Sequence, residues 1–180
     1  MKKYYTIVLS LLLPLVLHAQ GVKNTSYTAS NGEKVLRIEF TVPLDKKEAW
    51  NLFATEEGLK QWLAPVVSLN FRVGGSRSTN YDKTKSASDS GSVHTTILNY
   101  LEGEMITEKV NLNGNFGAKA RNEDKNLQQI VQFFKAAGGK TKIVSSMIGW
   151  GTGPEWDKTY AFFAKGNEWT AQQIVGLYHK

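Results

Sequence analysis

Cysteine is absent from the 180-residue chain. That excludes disulfide staples, a thiolate nucleophile, cysteine-ligated metal and attachment of lipid to a cysteine. Histidine is almost as scarce, at three residues, and no HExxH pattern or close His/Asp cluster occurs, so no metal site or cofactor is expected. Long apolar runs are missing as well, apart from Ile7–Leu17 near the start, which is too short to span a bilayer comfortably. Basic residues are in slight excess, for a formal charge of +6, but they are scattered among Asp and Glu. A nucleic-acid-binding stripe is therefore not indicated.

Met1–Ala19 has the three parts of a secretory signal: Lys2 and Lys3, the apolar run, and Leu17-His18-Ala19 before Gln20. Export to a periplasm or beyond is the expectation, with no stable membrane insertion once the signal is removed. Loss of the two lysines would take the formal charge from +6 to +4. Gln20–Glu33 is polar and aperiodic and reads as a tether. A single domain is expected over residues 34–180.

Lys34–Pro43 alternates Leu36, Ile38, Phe40 and Val42 with polar residues, the pattern of a half-buried strand. Asp45 and Glu48 form a capping box opening a helix with Ala49, Trp50 and Phe53 inward. Leu59, Trp62 and Leu63 mark a second short helix before Pro65. Strands are predicted at Val66–Val73, Arg77–Tyr81, Val93–Leu101, Met105–Leu112, Leu127–Lys135 and Thr141–Ile148. Asp82–Ser92 and Asn113–Asn126 read as long polar loops and are candidate lids if they meet.

The last segment organises the rest. Thr152 and Glu155 are spaced as a second capping box, with Pro154 in the first turn. Trp156, Tyr160, Phe163, Asn167, Thr170, Ile174 and Tyr178 then share one helical face. The face is aromatic first and polar in the middle. A fully packed helix is not expected to turn polar amid its buried side, whereas a helix roofing a cavity can. The alternative is an ordinary amphipathic helix kinked or frayed at Gly166 and Asn167. The order of elements predicts an α+β fold, a curved antiparallel sheet gripping a C-terminal helix with a helix pair at one end.

Trp50-x-x-Phe53 through Gly58-Leu59-x-x-Trp62, with Phe71-Arg72-Val73-Gly74-Gly75, resembles the front half of the START-like (Bet v 1-like, SRPBCC) superfamily. Gly139-Lys140-Thr141, Gly149-Trp150-Gly151 and Glu155-Trp156-Asp157-x-x-Tyr160-x-x-Phe163 resemble the back half. The narrower likeness is to the branch that includes the C-terminal domain of the activator of Hsp90 ATPase. The resemblance implies a helix-grip fold with a deep apolar cavity, and it implies little about chemistry, since members include carriers, receptors, cyclases and co-chaperone domains.

The candidate ligand-binding residues are the aromatics Trp50, Phe53, Trp62, Tyr100, Trp150, Trp156, Tyr160 and Phe163, with Arg72, Asn167 and Thr170 as polar points. For the aromatics the competing role is plain core packing, and for Arg72 a strand-surface charge. His94 is the one general-base candidate outside the two termini, its competing role being a hydrogen-bonded strand histidine. The alternation along Val93–Leu101 leaves the facing of His94 and Tyr100 open. Gly149–Gly153 lacks the Lys-Ser/Thr and the spacing of a phosphate loop, so its glycines point to a sharp turn onto the helix. The expected partner is a small apolar or amphipathic molecule. The alternatives are a protein-interaction module of the Hsp90-activator type, or an enzyme using His94 or Tyr160 as acid/base in the same cavity.

Overall fold

The computed structural model describes residues 21–178. The segment read as an export signal, and His179, lie outside the described residues. Among the described residues nine strands form one antiparallel sheet: β1 (Lys23–Asn24), β2 (Tyr27–Thr28), β3 (Lys34–Val42), β4 (Val66–Leu69), β5 (Ser76–Asn80), β6 (Val93–Leu101), β7 (Met105–Asn111), β8 (Gln128–Lys135) and β9 (Thr141–Ile148). Helices α1 (Lys46–Ala54) and α2 (Glu56–Trp62) follow β3, α3 (Ala118–Asn122) follows β7, and α4 (Pro154–Gly176) closes the described chain. The strand order is β1-β3-β9-β8-β7-β6-β5-β4, with β2 also on β3. The sheet is curved and unclosed, and α4 lies in its hollow.

Alternation in β3 works as the sequence implied: Leu36, Ile38, Phe40 and Val42 are buried and their neighbours are not. The Asp45 box is also formed. Asp45 Oδ1 accepts from Glu48 N at 2.8 Å, and Asp45 N donates to Glu48 Oε2 at 3.2 Å. Thr55 then caps α2 by accepting from Gly58 N, so α1 and α2 abut across one residue. The pair carries Trp50, Phe53, Leu59 and Trp62 into the core. Trp50 and Phe53 meet Phe133 edge-on at 5.5 and 5.4 Å between ring centroids.

Three expectations need correction. Residues 23–28, read as tether, pair with β3 as β1 and β2. The segment Asn113–Asn126 is not a plain loop: it contains α3 and a short 3-10 turn, and it is pinned from several sides. Asp124 accepts from Leu112 N at 2.8 Å and pairs with Lys109 at 3.0 Å. Trp156 Nε1 donates to Glu123 at 2.9 Å.

The second capping box does not form, because Gly153, at φ 99°, is the N-cap of α4 and has no side chain to offer. Glu155 instead accepts from Ala120 N at 3.3 Å, and the Thr152 carbonyl accepts from Lys119 Nζ at 3.0 Å. Both residues tie α3 to the start of α4. The glycines before α4 are steric: Gly149 has φ 81° and a Cβ there would collide with the Asn126 carbonyl, while one at Gly151 would strike the Trp156 indole.

On the outer face, Glu39 joins three strands. It pairs with Lys142 on β9 and Arg37 on β3, and accepts from the Thr25 hydroxyl beside β1 at 3.1 Å. The Lys142 contact, helped by Thr25 and Arg37, holds its carboxyl below the usual carboxylate range despite partial burial. A depressed folded pKa gives stability that is complete above the unfolded value, about 4.3, and lost as pH falls through the folded one. Glu39→Gln is expected to cost about 1 kcal/mol near neutral pH. Urea denaturation across pH should show that deficit vanishing in acid, and a pH-independent deficit would contradict this assignment.

Candidate functional site

Between α4 and the sheet lies a cavity of about 850 Å³, within the range of about 300–1,000 Å³ usual for small-molecule sites. Its walls come from α1, α2, the concave faces of β3 and β5–β9, α4, and the segments at residues 81–93 and 111–117. Two aromatic clusters flank it. Phe53 and Trp62 belong to one, with rings 4.9 Å apart. Phe116, Phe162 and Phe163 belong to the other, with Phe116 stacked on Phe163 at 5.6 Å.

Of the sequence-predicted residues, Phe53, Trp62, Phe163, Asn167 and Thr170 line the cavity. Trp50, Arg72, Tyr100, Trp150, Trp156 and Tyr160 stand outside its lining. Trp50 and Tyr100 pack with Phe71 in the plug made by α1 and α2. Arg72 is exposed, in the turn before β5. Trp150 lies against Trp156, Tyr160 and Phe163, and donates to the Met147 carbonyl at 3.1 Å. Trp156 is the most buried of these aromatics, at 1% exposure. These residues fill the ends of the grip, which is what large aromatics at helix spacing do when opposite faces close on them.

The facing of β6 is settled by a register shift between Ile97 and Asn99. Thr95 and Ile97 face the hollow; Leu98 is the extra residue; beyond it Tyr100 faces inward, opposite Ile106. A bulge reverses the alternation midway. His94 lies on the outer face, its Nδ1 2.8 Å from the Ser78 hydroxyl, and it does not line the cavity. Among the described residues no group of three or more His, Asp or Glu is arranged to hold a metal, and no helix is long and apolar enough to cross a membrane.

The floor of the cavity carries a polar band that the sequence did not disclose. Register places Arg77 beside Thr95, and Glu108 beside Gln129, on successive strands. Ser145 on β9 continues the band toward α4. Arg77 Nη2 is 2.6 Å from Glu108 Oε2, both side chains nearly buried, and Glu108 Oε1 accepts from Thr95 at 3.1 Å. Gln129 Nε2 donates to Ser145 at 3.1 Å and to Asn167 Oδ1 at 3.2 Å. Asn167 in turn donates to the Phe163 carbonyl at 2.9 Å. Each residue looks ordinary in its own strand; only pairing puts them in line. The two candidate lid segments do meet, since Asn113 Nδ2 donates to the carbonyls of Gly91 and Ser92 at 3.2 and 3.3 Å.

Asn167→Leu would remove the tie between α4 and the sheet and leave the Gln129 amide a partner short. A cost of about 1–3 kcal/mol is expected. It should appear as a lower denaturation midpoint with unchanged slope, and an unaltered midpoint would contradict the tie.

No family model and no curated protein matches the chain. Solved structures do. Protein Ms6760 from Mycobacterium smegmatis superposes with a TM-score of 0.61 at 14% identity, over 87% of this chain and 96% of that one. The Aha1 dimer from Colwellia psychrerythraea gives 0.59 at 13% identity, over 80% and 92%. CalU16 from Micromonospora echinospora gives 0.56 at 12%, over 88% and 85%. The long helix in the hollow of an unclosed sheet, the helix pair after β3 and these superpositions agree: the chain has a helix-grip fold, in an arrangement shared with the Aha1 dimer subunit.

Proposed function

We propose that the protein is exported and holds a small amphipathic molecule between the sheet and α4. The observation that carries this is the cavity itself, which has aromatic and aliphatic walls, a polar band across its floor, and further polar groups on α4 and at residues 111–115. Apolar burial at about 25 cal/mol per Å² makes a few hundred Å² of hidden ligand surface worth several kcal/mol without any catalyst. The charged start and apolar run of residues 1–19 support export. A second reading, a protein-interaction module of the Hsp90-activator type, is favoured by the fold likeness to Aha1.

Gly166 supplies the test. It lines the cavity, and a Cβ there meets nothing within 4 Å. Gly166→Leu should project into the open space while raising helix propensity by about 1 kcal/mol. Native mass spectrometry of the protein purified from its own host should show a defined extra mass, lost in the variant. Binding of anilinonaphthalene sulfonate should weaken by about tenfold, with the melting temperature unchanged or raised. Equal binding by the two proteins would refute the cavity as the site. The second reading expects instead that the protein raises the ATPase rate of Hsp90, and a flat rate over a full titration rules it out.

A further inference from the structure

We infer that Arg77 is an anion-recognition point on the cavity floor, so that the molecule held there carries a carboxylate or comparable anionic head. This rests on the proposed cavity function and specifies its ligand class. Arg77 and Glu108 are 12% and 7% exposed at the side chain, and their charges cancel. The two partners are not equivalent toward the cavity. Arg77 is part of the lining and Glu108 is not. Both Glu108 oxygens are committed, Oε2 to Arg77 and Oε1 to Thr95. Arg77 commits Nη2, and among the described residues its Nε and Nη1 have no hydrogen-bonded partner. Every fully buried side-chain nitrogen and oxygen among the described residues is satisfied. The free guanidinium donors are therefore not sealed off by protein, and Arg77 borders the cavity.

The arrangement has a physical logic. A lone buried arginine is costly, and Glu108 removes that cost while the fold is empty. It also holds the guanidinium in place, leaving Nε–H and Nη1–H as donors for the oxygens of an anionic head. The rest of the band cannot compete for an anion, because both hydrogen-bonding contacts of Gln129 Nε2 are spent on Ser145 and Asn167. A ligand seated with its head at Arg77 has its apolar body left to face Phe53, Phe163 and Ile174.

The test compares dodecanoate with dodecanol, which share a chain and differ in the head, by calorimetric titration near neutral pH. The protein should bind dodecanoate at least about tenfold more tightly. Removing Arg77 alone would strand Glu108, so the informative variant is Arg77→Gln with Glu108→Gln, which leaves the net charge of the chain unaltered. It should lose the preference for dodecanoate while binding dodecanol within about twofold of the parent. Arg77→Lys, which keeps the charge and the ion pair, should retain part of the preference. Equal binding of both amphiphiles by the parent, or a preference that survives the double substitution, overturns the anion point and leaves the cavity function standing. Failure of both to bind overturns the two together.

Discussion

The long helix is anchored by buried apolar side chains toward its ends and tied to the sheet in its middle by a polar bridge. Trp156 and Ile174, both buried, lie about 27 Å apart along α4 at 1.5 Å per residue. Between them Asn167 meets the sheet through Gln129 and Ser145, by hydrogen bonds of 3.2 and 3.4 Å. Apolar side chains close distance until they touch, whereas a side-chain hydrogen-bond bridge holds two backbones at a set separation. The gap that becomes the cavity follows from this difference. Aromatic packing keeps α4 on the sheet, and the asparagine–glutamine–serine bridge sets its height there.

The ends of the grip show the same division of labour. At one end, α1 and α2 insert Trp50, Phe53 and Trp62 against Phe133. At the other, α3 and the turn at Asp124 are locked to α4 through Glu123, Glu155 and Lys119. Residues 113–126 are polar yet tied down, because Lys119, Arg121 and Asp124 hydrogen-bond backbone groups and Glu123 accepts from the Trp156 indole. Space is left only where neither plug reaches. The floor there carries the most deeply buried ion pair among the described residues, in which Arg77 and Glu108 neutralise each other.

Much of this order was open to reading before coordinates. Alternation in β3, the Asp45 box, the six later strands and the span of α4 are each written in neighbouring residues, within reach of periodicity and capping rules. The inward Asn167 and Thr170 also followed from spacing on one helix. Local signals failed where a distant partner took over. Thr152 and Glu155 have capping-box spacing, but α3 recruits Glu155 and the positive φ of Gly153 displaces the hydroxyl. The facing of Tyr100 turned on a bulge at Leu98, which no alternation pattern in β6 announces.

What the sequence determined by itself is therefore the kind and order of elements, because helix and strand periods, caps and glycine turns are short-range physics. Which aromatics fill the ends and which border open space was decided only by tertiary structure. Trp156 and Tyr160 share a stripe with Phe163, yet Trp150 in the turn before α4 packs over them and Phe163 is left at the wall. The polar floor belongs wholly to tertiary structure: Arg77, Thr95, Glu108, Gln129 and Ser145 come from five strands and become a line only through cross-strand register. Register is a long-range property, set by how every strand pairs with its neighbours, and single-strand patterns do not contain it.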